Sequence, residues 1–454
     1  MKTLKTAFNL LSLLTLCFII INCSGDDDTA GDGTTDSVTL TTSVSQLNFS
    51  DTAANETSQD RSFSITGSSL VSQIDLSATG NFEISSDAVN FSSNLSIVPN
   101  DVNGSNTIYV KFLPDAISAF QGVVTIQSAD VSTDLQVALS GNGVPVIHNY
   151  QTFNRERVAF GGGFSQTSVQ SYNLHNDLTN IETIKMYVKL TCPTGGCDEW
   201  DVYANVKVTD VASGERYELA RFITPYWNDN SQLARGFEFD VTDFKSLLNG
   251  NVELRIRTEC WNARGYEVSV DFDYIEGTPD YAYYGITRVL NYDNGSAAGV
   301  PYGVAHTKDL TRSISVPANA QSTHLRTIIS GWGQAASGDA DGRTCAEWCF
   351  RTHDVLINGA NMFQHDLAPL GCASNPVNNQ APGNWMPDRA GWCPGMEVPT
   401  RIDDFTSSMA GTTFTFEYDF EDWTNTTTDE SFYPISSFVV VKSDTPITRA
   451  TVID

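Results

Sequence analysis

Helical periodicity is nearly absent from this chain, and that absence argues for an all-β protein. Positive charge is scarce as well. Against 54 Asp and Glu there are 26 Lys and Arg, a net charge of −28, which excludes nucleic acid as a partner. The histidines (148, 175, 306, 324, 353 and 365) show no His-x-x-x-His spacing, and no Cys-x-x-Cys occurs. No metal site is therefore expected. Gly161-Gly162-Gly163 does not join a strand to a helix, so a phosphate-binding loop and a nucleotide ligand are discounted.

What is present begins with a targeting segment over 1–22. Lys2 and Lys5 precede an apolar run, Phe8 to Ile21, of signal-peptide length and too short to span a membrane. Ile20-Ile21-Asn22-Cys23-Ser24-Gly25-Asp26-Asp27-Asp28 resembles a bacterial lipobox followed by a surface-export tag, although Asn22 replaces the usual small residue. The expectation is a lipoprotein acylated at Cys23, held on the bacterial outer membrane and exposed at the surface. A plainly secreted or periplasmic protein is the alternative. Residues 23–37, rich in Asp, Gly, Thr and Ser, read as a solvated tether.

From 38 to 145 short alternating runs such as Ile108-Tyr109-Val110-Lys111-Phe112 and Leu135-Gln136-Val137-Ala138-Leu139 alternate with turn residues. Period two with frequent turns predicts an antiparallel sandwich. The run from Val110 to Gly143 resembles the immunoglobulin-like modules found beside bacterial surface enzymes. With no Cys, His or Trp, it reads as a spacer or weak binding module.

The remainder is predicted to be strands in two similar units, 147–279 and 280–454. Asp243-Phe244 to Gly250 matches Asp404-Phe405 to Gly411 in spacing, and alternating strands follow both. Each leads to an acid and an indole: Glu259-Cys260-Trp261 and Glu421-Asp422-Trp423. A short turn of helix is predicted at Asp243–Leu248. A ligand cleft is expected where the units meet.

A cysteine-framed acidic motif also occurs twice: Cys197-Asp198-Glu199-Trp200-Asp201 and Cys345-Ala346-Glu347-Trp348-Cys349. Tight cysteine loops hold a carboxylate beside an indole, which suits a sugar-processing site: a flat apolar face for the ring and an acid for a proton or water. Asp201, Glu347 and Glu259 in one cleft would push each other's pKa values apart. Trp200 is expected to be a core residue. Arg389, in Asp388-Arg389-Ala390-Gly391-Trp392-Cys393, would either hydrogen-bond sugar or pair with Asp388. An oxidising compartment would let Cys192–Cys197, Cys345–Cys349 and Cys372–Cys393 pair locally, leaving Cys260 as a lone buried thiol. Sequence alone leaves that connectivity open.

The first motif with Tyr203-Ala204-Asn205-Val206, the run Arg221-Phe222-Ile223-Thr224-Pro225-Tyr226-Trp227, Ser330-Gly331-Trp332-Gly333, Cys345 through His353 and Pro382 through Met396 resemble bacterial peptide-N-glycosidase F over about 147–454. The resemblance implies two side-by-side eight-stranded antiparallel jelly rolls. It implies hydrolysis of the amide between Asn and the innermost N-acetylglucosamine of an N-glycan, leaving Asp, with no metal or cofactor. N-glycosylated proteins and glycopeptides would be the substrates, and the protein is expected to act as a monomer. By position, Asp201 is the implied principal catalytic acid, assisted by Glu347 and Glu259. Trp261, Trp332, Trp348, Trp392 and Arg389 would line the cleft. The family's three disulfides match the pairs above, and Glu421 maps to no catalytic position. Two positions depart from the family: Val202 stands where Arg is usual and Gln334 where His is usual. Val202 is expected to leave more room and less charge near the first sugar, altering tolerance of core fucose.

Two other functions fit the residues. An endoglycosidase would use the same acids on a sugar–sugar bond and leave one N-acetylglucosamine on Asn. An inactive surface lectin would bind glycan without needing Asp201.

Overall fold

The computed structural model describes residues 37–336 and 344–453. The expected signal, Cys23 and the tether as far as 36 lie outside the described residues. Among the described residues no helix is long and apolar enough to cross a membrane. The chain divides into two compact units, one built mainly from residues up to 142 and the other from 143 onward.

The first unit is a two-sheet sandwich. One sheet runs Thr39–Thr42, Arg61–Ser68, Asn106–Phe112, Phe82–Ser85; the other contains Gln46–Asn48, Leu135–Val144, Ala119–Ser128, Ile74–Ala78 and Asn94–Ile97. Alternation explains the sandwich. In Asn106–Phe112 every second side chain, Ile108, Val110 and Phe112, is fully buried. One pairing departs from the antiparallel expectation: Gln46–Asn48 runs parallel to Leu135–Val144. The chain changes sheets between Thr42 and Gln46, so the second strand continues in the direction of the first instead of folding back as a hairpin.

The larger unit contains two halves with one topology. In the first, Ile147–Gln151, Tyr266–Glu276, Ile181–Thr191 and Phe237–Asp240 lie in that order, facing Thr167–Asn173, Asn251–Thr258, Tyr203–Thr209 and Arg216–Ile223. In the second, Tyr283–Tyr292, Ile435–Ser443, Ser322–Ile329 and Thr400–Asp404 accompany Thr311–Ser315, Thr413–Asp419, Thr352–Ile357 and Ala360–Asp366, strand for strand in the same order. Gly250 and Gly411 turn the chain at matching points with φ of 64° and 67°, a conformation that glycine adopts without a Cβ penalty. The predicted helical turn is shorter and earlier than expected, a single 3-10 turn at Thr242–Phe244.

The halves share a core. Ile286, Phe438 and Val440 of the second join Val206, Leu219 and Leu254 of the first. Beside this lies a buried polar network. Arg221 is fully buried, pairs with Glu218 at 2.8 Å and donates to Ser330 Oγ at 2.9 Å and the Pro434 carbonyl at 2.6 Å in the other half. Ser436 in turn donates to Glu218 at 2.5 Å. Buried charges this well bonded fix how the halves meet, because neither partner can move without stranding the other.

Candidate active site

Matching connections of the two halves supply the twin motifs. Asp201 lies between Ile181–Thr191 and Tyr203–Thr209, and Glu347 between Ser322–Ile329 and Thr352–Ile357. Both approach one cleft of about 570 Å³, which Glu259 also lines.

Asp198, fully buried, organises the first motif. Its carboxylate accepts the backbone N–H of Trp200 at 3.2 Å, Trp261 at 2.8 Å and Asn262 at 3.3 Å. Its carbonyl accepts that of Trp227 at 3.1 Å. Burial raises its pKa, and the three N–H bonds and Arg264 offset this only in part. Asp198 therefore anchors the backbone of three indole-bearing residues, Trp200 and Trp261 through its carboxylate and Trp227 through its carbonyl. Trp200, expected in the core, is instead 51% exposed, because the Cys192–Cys197 bridge and Asp198 turn the chain outward there.

Asp201 and Glu347 meet at Arg389. Arg389 Nη2 is 3.3 Å from Asp201 Oδ2, and its Nε is 3.8 Å from Glu347 Oε1. Burial pushes the Asp201 carboxyl up to about 6, against the pull of Arg389 and a hydrogen bond with Tyr226. Burial raises Glu347 further, to about 7, and the neighbouring Asp201 charge adds to the rise while Arg389 opposes it. Two carboxyls poised near neutrality can hold one proton between them and orient water with the ionised member.

Glu259 has a different setting. Its oxygens accept Ser296 Oγ at 2.8 Å and the Ser296 N–H at 3.1 Å, and Arg257 pairs with it at 3.1 Å. Gly295 is what lets Ser296 come so near: its φ is 153°, and a Cβ there would lie 2.0 Å from Glu259 Oε1.

The aromatic lining differs from expectation at Trp392. Trp261 is 71% exposed, and it lines the cleft with Trp332 and Trp348. Trp392 is fully buried behind Trp332, stacked on it at 4.4 Å, with its indole N–H given to the Gly331 carbonyl. It supports the lining and is not part of it. Arg389 is likewise fully buried, below the cleft, with Trp348 over its guanidinium at 4.2 Å. It does not pair with Asp388, whose carboxylate accepts the Gly371 and Cys372 N–H groups instead. Tyr226 and Ser296 were missed by the sequence reading. Tyr226, whose hydroxyl accepts Arg389 Nη2 at 3.3 Å, stands within the Arg221–Trp227 run, but nothing in the spacing marks its role, and Ser296 carries no signal at all.

The three disulfides are Cys192–Cys197, Cys345–Cys349 and Cys372–Cys393, and Cys260 is a buried free thiol. Among the described residues the one cluster with metal-ligand spacing is Cys372, Asp388 and Cys393, and its sulfurs are consumed in a disulfide. Glu421 lies outside the cleft, paired with Arg351 at 2.7 Å.

Comparison with known proteins gives three findings. The family described as peptide-N-glycosidase F, C terminal, matches residues 302–440. The chain is 52% identical over 350 residues to peptide-N(4)-(N-acetyl-beta-D-glucosaminyl)asparagine amidase F of Elizabethkingia miricola, covering 75% of this chain and 99% of that one. A solved structure described as PNGase F, a glycosylasparaginase from Flavobacterium meningosepticum, is 55% identical with a TM-score of 0.67, covering 68% of this chain and 100% of that one. PNGF-II, at 11% identity and a TM-score of 0.53 over 85% of this chain and 80% of its own, shares the fold.

Proposed function

Because the chain belongs to the peptide-N-glycosidase F family, we infer that it hydrolyses the amide joining an Asn side chain to the innermost N-acetylglucosamine of an N-glycan. Water adds to the Asn amide carbon and the carbon–nitrogen bond breaks. The peptide is left with Asp and the sugar leaves as a glycosylamine, which then loses ammonia in water.

The observation that carries the assignment of roles is the meeting of Asp201 and Glu347 at the buried Arg389. Asp201 faces the reacting amide and first sugar. Glu347, the carboxyl held higher, organises water and hydrogen bonds at the scissile group. Glu259, fixed by Ser296 and Arg257, holds the next part of the glycan core. Trp261, Trp332 and Trp348 offer faces for sugar rings. Arg389 is a positioning residue that limits how far both carboxyl pKa values rise.

The test is mass spectrometry of a denatured N-glycoprotein incubated with the protein in heavy-oxygen water. Aspartate carrying one heavy oxygen at the former glycosylated Asn is the expected product. An Asn that keeps one N-acetylglucosamine would overturn the reading in favour of an endoglycosidase, and an untouched glycan in favour of a lectin.

The address is a separate proposal. The apolar run Phe8 to Ile21, followed by Asn22-Cys23, supports lipidation at Cys23 and a site on the outer membrane. Metabolic labelling with a fatty-acid analogue should mark the protein and should not mark Cys23→Ala; equal labelling of both would contradict it.

A further inference from the structure

Next to the catalytic cleft lies a second pocket of about 370 Å³ that the roles above do not use. The two share Trp200, Tyr226 and Asn384, so they adjoin across these residues, with Asp201 on the cleft side. The second pocket is walled by Trp200 and Trp227 and bounded by Pro382 and Gly383.

Its chemistry differs from that of the cleft. The cleft presents carboxylates and hydroxyls beside its rings, as a sugar needs. In the second pocket two of the polar groups, the Glu199 carboxylate and the Asn384 carbonyl, are already occupied. Glu199 pairs with Arg264, and the Asn384 carbonyl accepts Arg389 at 2.7 Å. The surface left over is mainly the rings of Trp200 and Trp227 with Pro382, and it carries no carboxylate free to meet a sugar hydroxyl, so it suits an apolar side chain better than a sugar.

The pocket is also a built feature. Trp227 is 43% exposed and holds φ of 58°, a left-handed conformation rare for a bulky residue. It is kept there by its N–H bond to the Asp198 carbonyl at 3.1 Å, and Arg264 lies 4.9 Å from its ring centre. Gly383 closes the floor against Tyr226, where a Cβ would fall 2.1 Å from the ring. In the first motif copy Glu199 holds Arg264 against Trp227, whereas its counterpart Glu347 serves the cleft.

We propose that the Trp200–Trp227 pocket is a peptide subsite that receives an apolar side chain of the substrate polypeptide within one residue of the glycosylated Asn. The proposal rests on the amidase reading. Hydrolysis of the Asn amide at Asp201 obliges the polypeptide to leave the cleft beside Asp201, and this pocket is the adjoining surface that can take one of its side chains.

The test uses synthetic glycopeptides with one glycan and a single varied residue, Leu, Phe, Gly or Asp, just before or just after the Asn. The wild-type protein should favour Leu and Phe over Gly at one of those positions by about tenfold in kcat/KM, mainly through KM. Trp227→Gly, which removes the ring while accepting the left-handed backbone, should bring that ratio close to one, and Trp227→Phe should restore part of it. A flat profile in the wild type, or the same preference in Trp227→Gly, would overturn the subsite and leave the amidase reading intact. Failure to convert any glycopeptide to the Asp form would overturn both.

Discussion

Arg389 Nη2 sits 3.3 Å from Asp201 Oδ2, bridging 188 positions of sequence, while its Nε points toward Glu347 from 3.8 Å. One buried guanidinium thus serves two carboxyls from equivalent loops of duplicated halves. Most of what can be measured about the site follows from this arrangement.

The pH dependence comes first. The Asp201 and Glu347 values near 6 and 7 describe an interacting pair, so the pair should titrate in two steps. Activity should rise with pH as the pair loses its first proton and fall as it loses the second. Glu347→Gln should remove the upper step and leave a single acid limb. A wild-type kcat profile flat from pH 5 to 8, a span of about three units around both values, would contradict the assignment.

Stability should move opposite to the rising limb of that profile. The Asp201 pKa is raised above its unfolded value of 3.8, so its contribution is most favourable below that value and is lost as pH rises through about 6. Asp201→Asn should therefore stabilise the protein at pH 8 by about 2–3 kcal/mol and leave it nearly unchanged in acid. Thermal unfolding at the two pH values checks this. A lower midpoint for the variant at pH 8 would contradict it.

The fully buried Arg221–Glu218 pair, bonded to Ser330, Pro434 and Ser436 across the halves, should be intolerant of losing one partner. Arg221→Met should cost roughly 3–5 kcal/mol in denaturant unfolding, because Glu218 is left charged and unpaired. A loss under about 1 kcal/mol would show that the network does not bind the halves together.

Val202 lines the cleft although only 4% of it is exposed, with its N–H donated to Thr224 Oγ1 at 2.8 Å. Val202→Arg should add bulk and charge near the first sugar and lower release from core-fucosylated glycopeptides relative to unfucosylated ones. An unchanged ratio would contradict this role.

Much of the fold was readable from alternation. Strands such as Asn106–Phe112 bury every second residue, and that pattern needs no tertiary information. Two acids of the cleft, Asp201 and Glu347, were readable because a cysteine-framed motif occurs twice. What was not readable depends on distant neighbours. An indole reads the same in sequence whether exposed, as Trp200 is, or buried, as Trp392 is, because the difference lies in what packs on it. The partner of Arg389 is another example. Asp388, its neighbour in sequence, is taken by Gly371 and Cys372, so the guanidinium is free to reach Asp201. Ser296 reaches Glu259 through a Gly295 turn that no spacing rule announces.

The central claim is that Asp201 acts on the Asn–sugar amide. The most direct measurement is kcat and KM for Asp201→Asn on one defined glycopeptide. The account predicts a fall in kcat of about 10³-fold or more with KM changed by no more than a few fold, because the charge is lost and the cleft is kept. A variant within about tenfold of the wild-type kcat would contradict it.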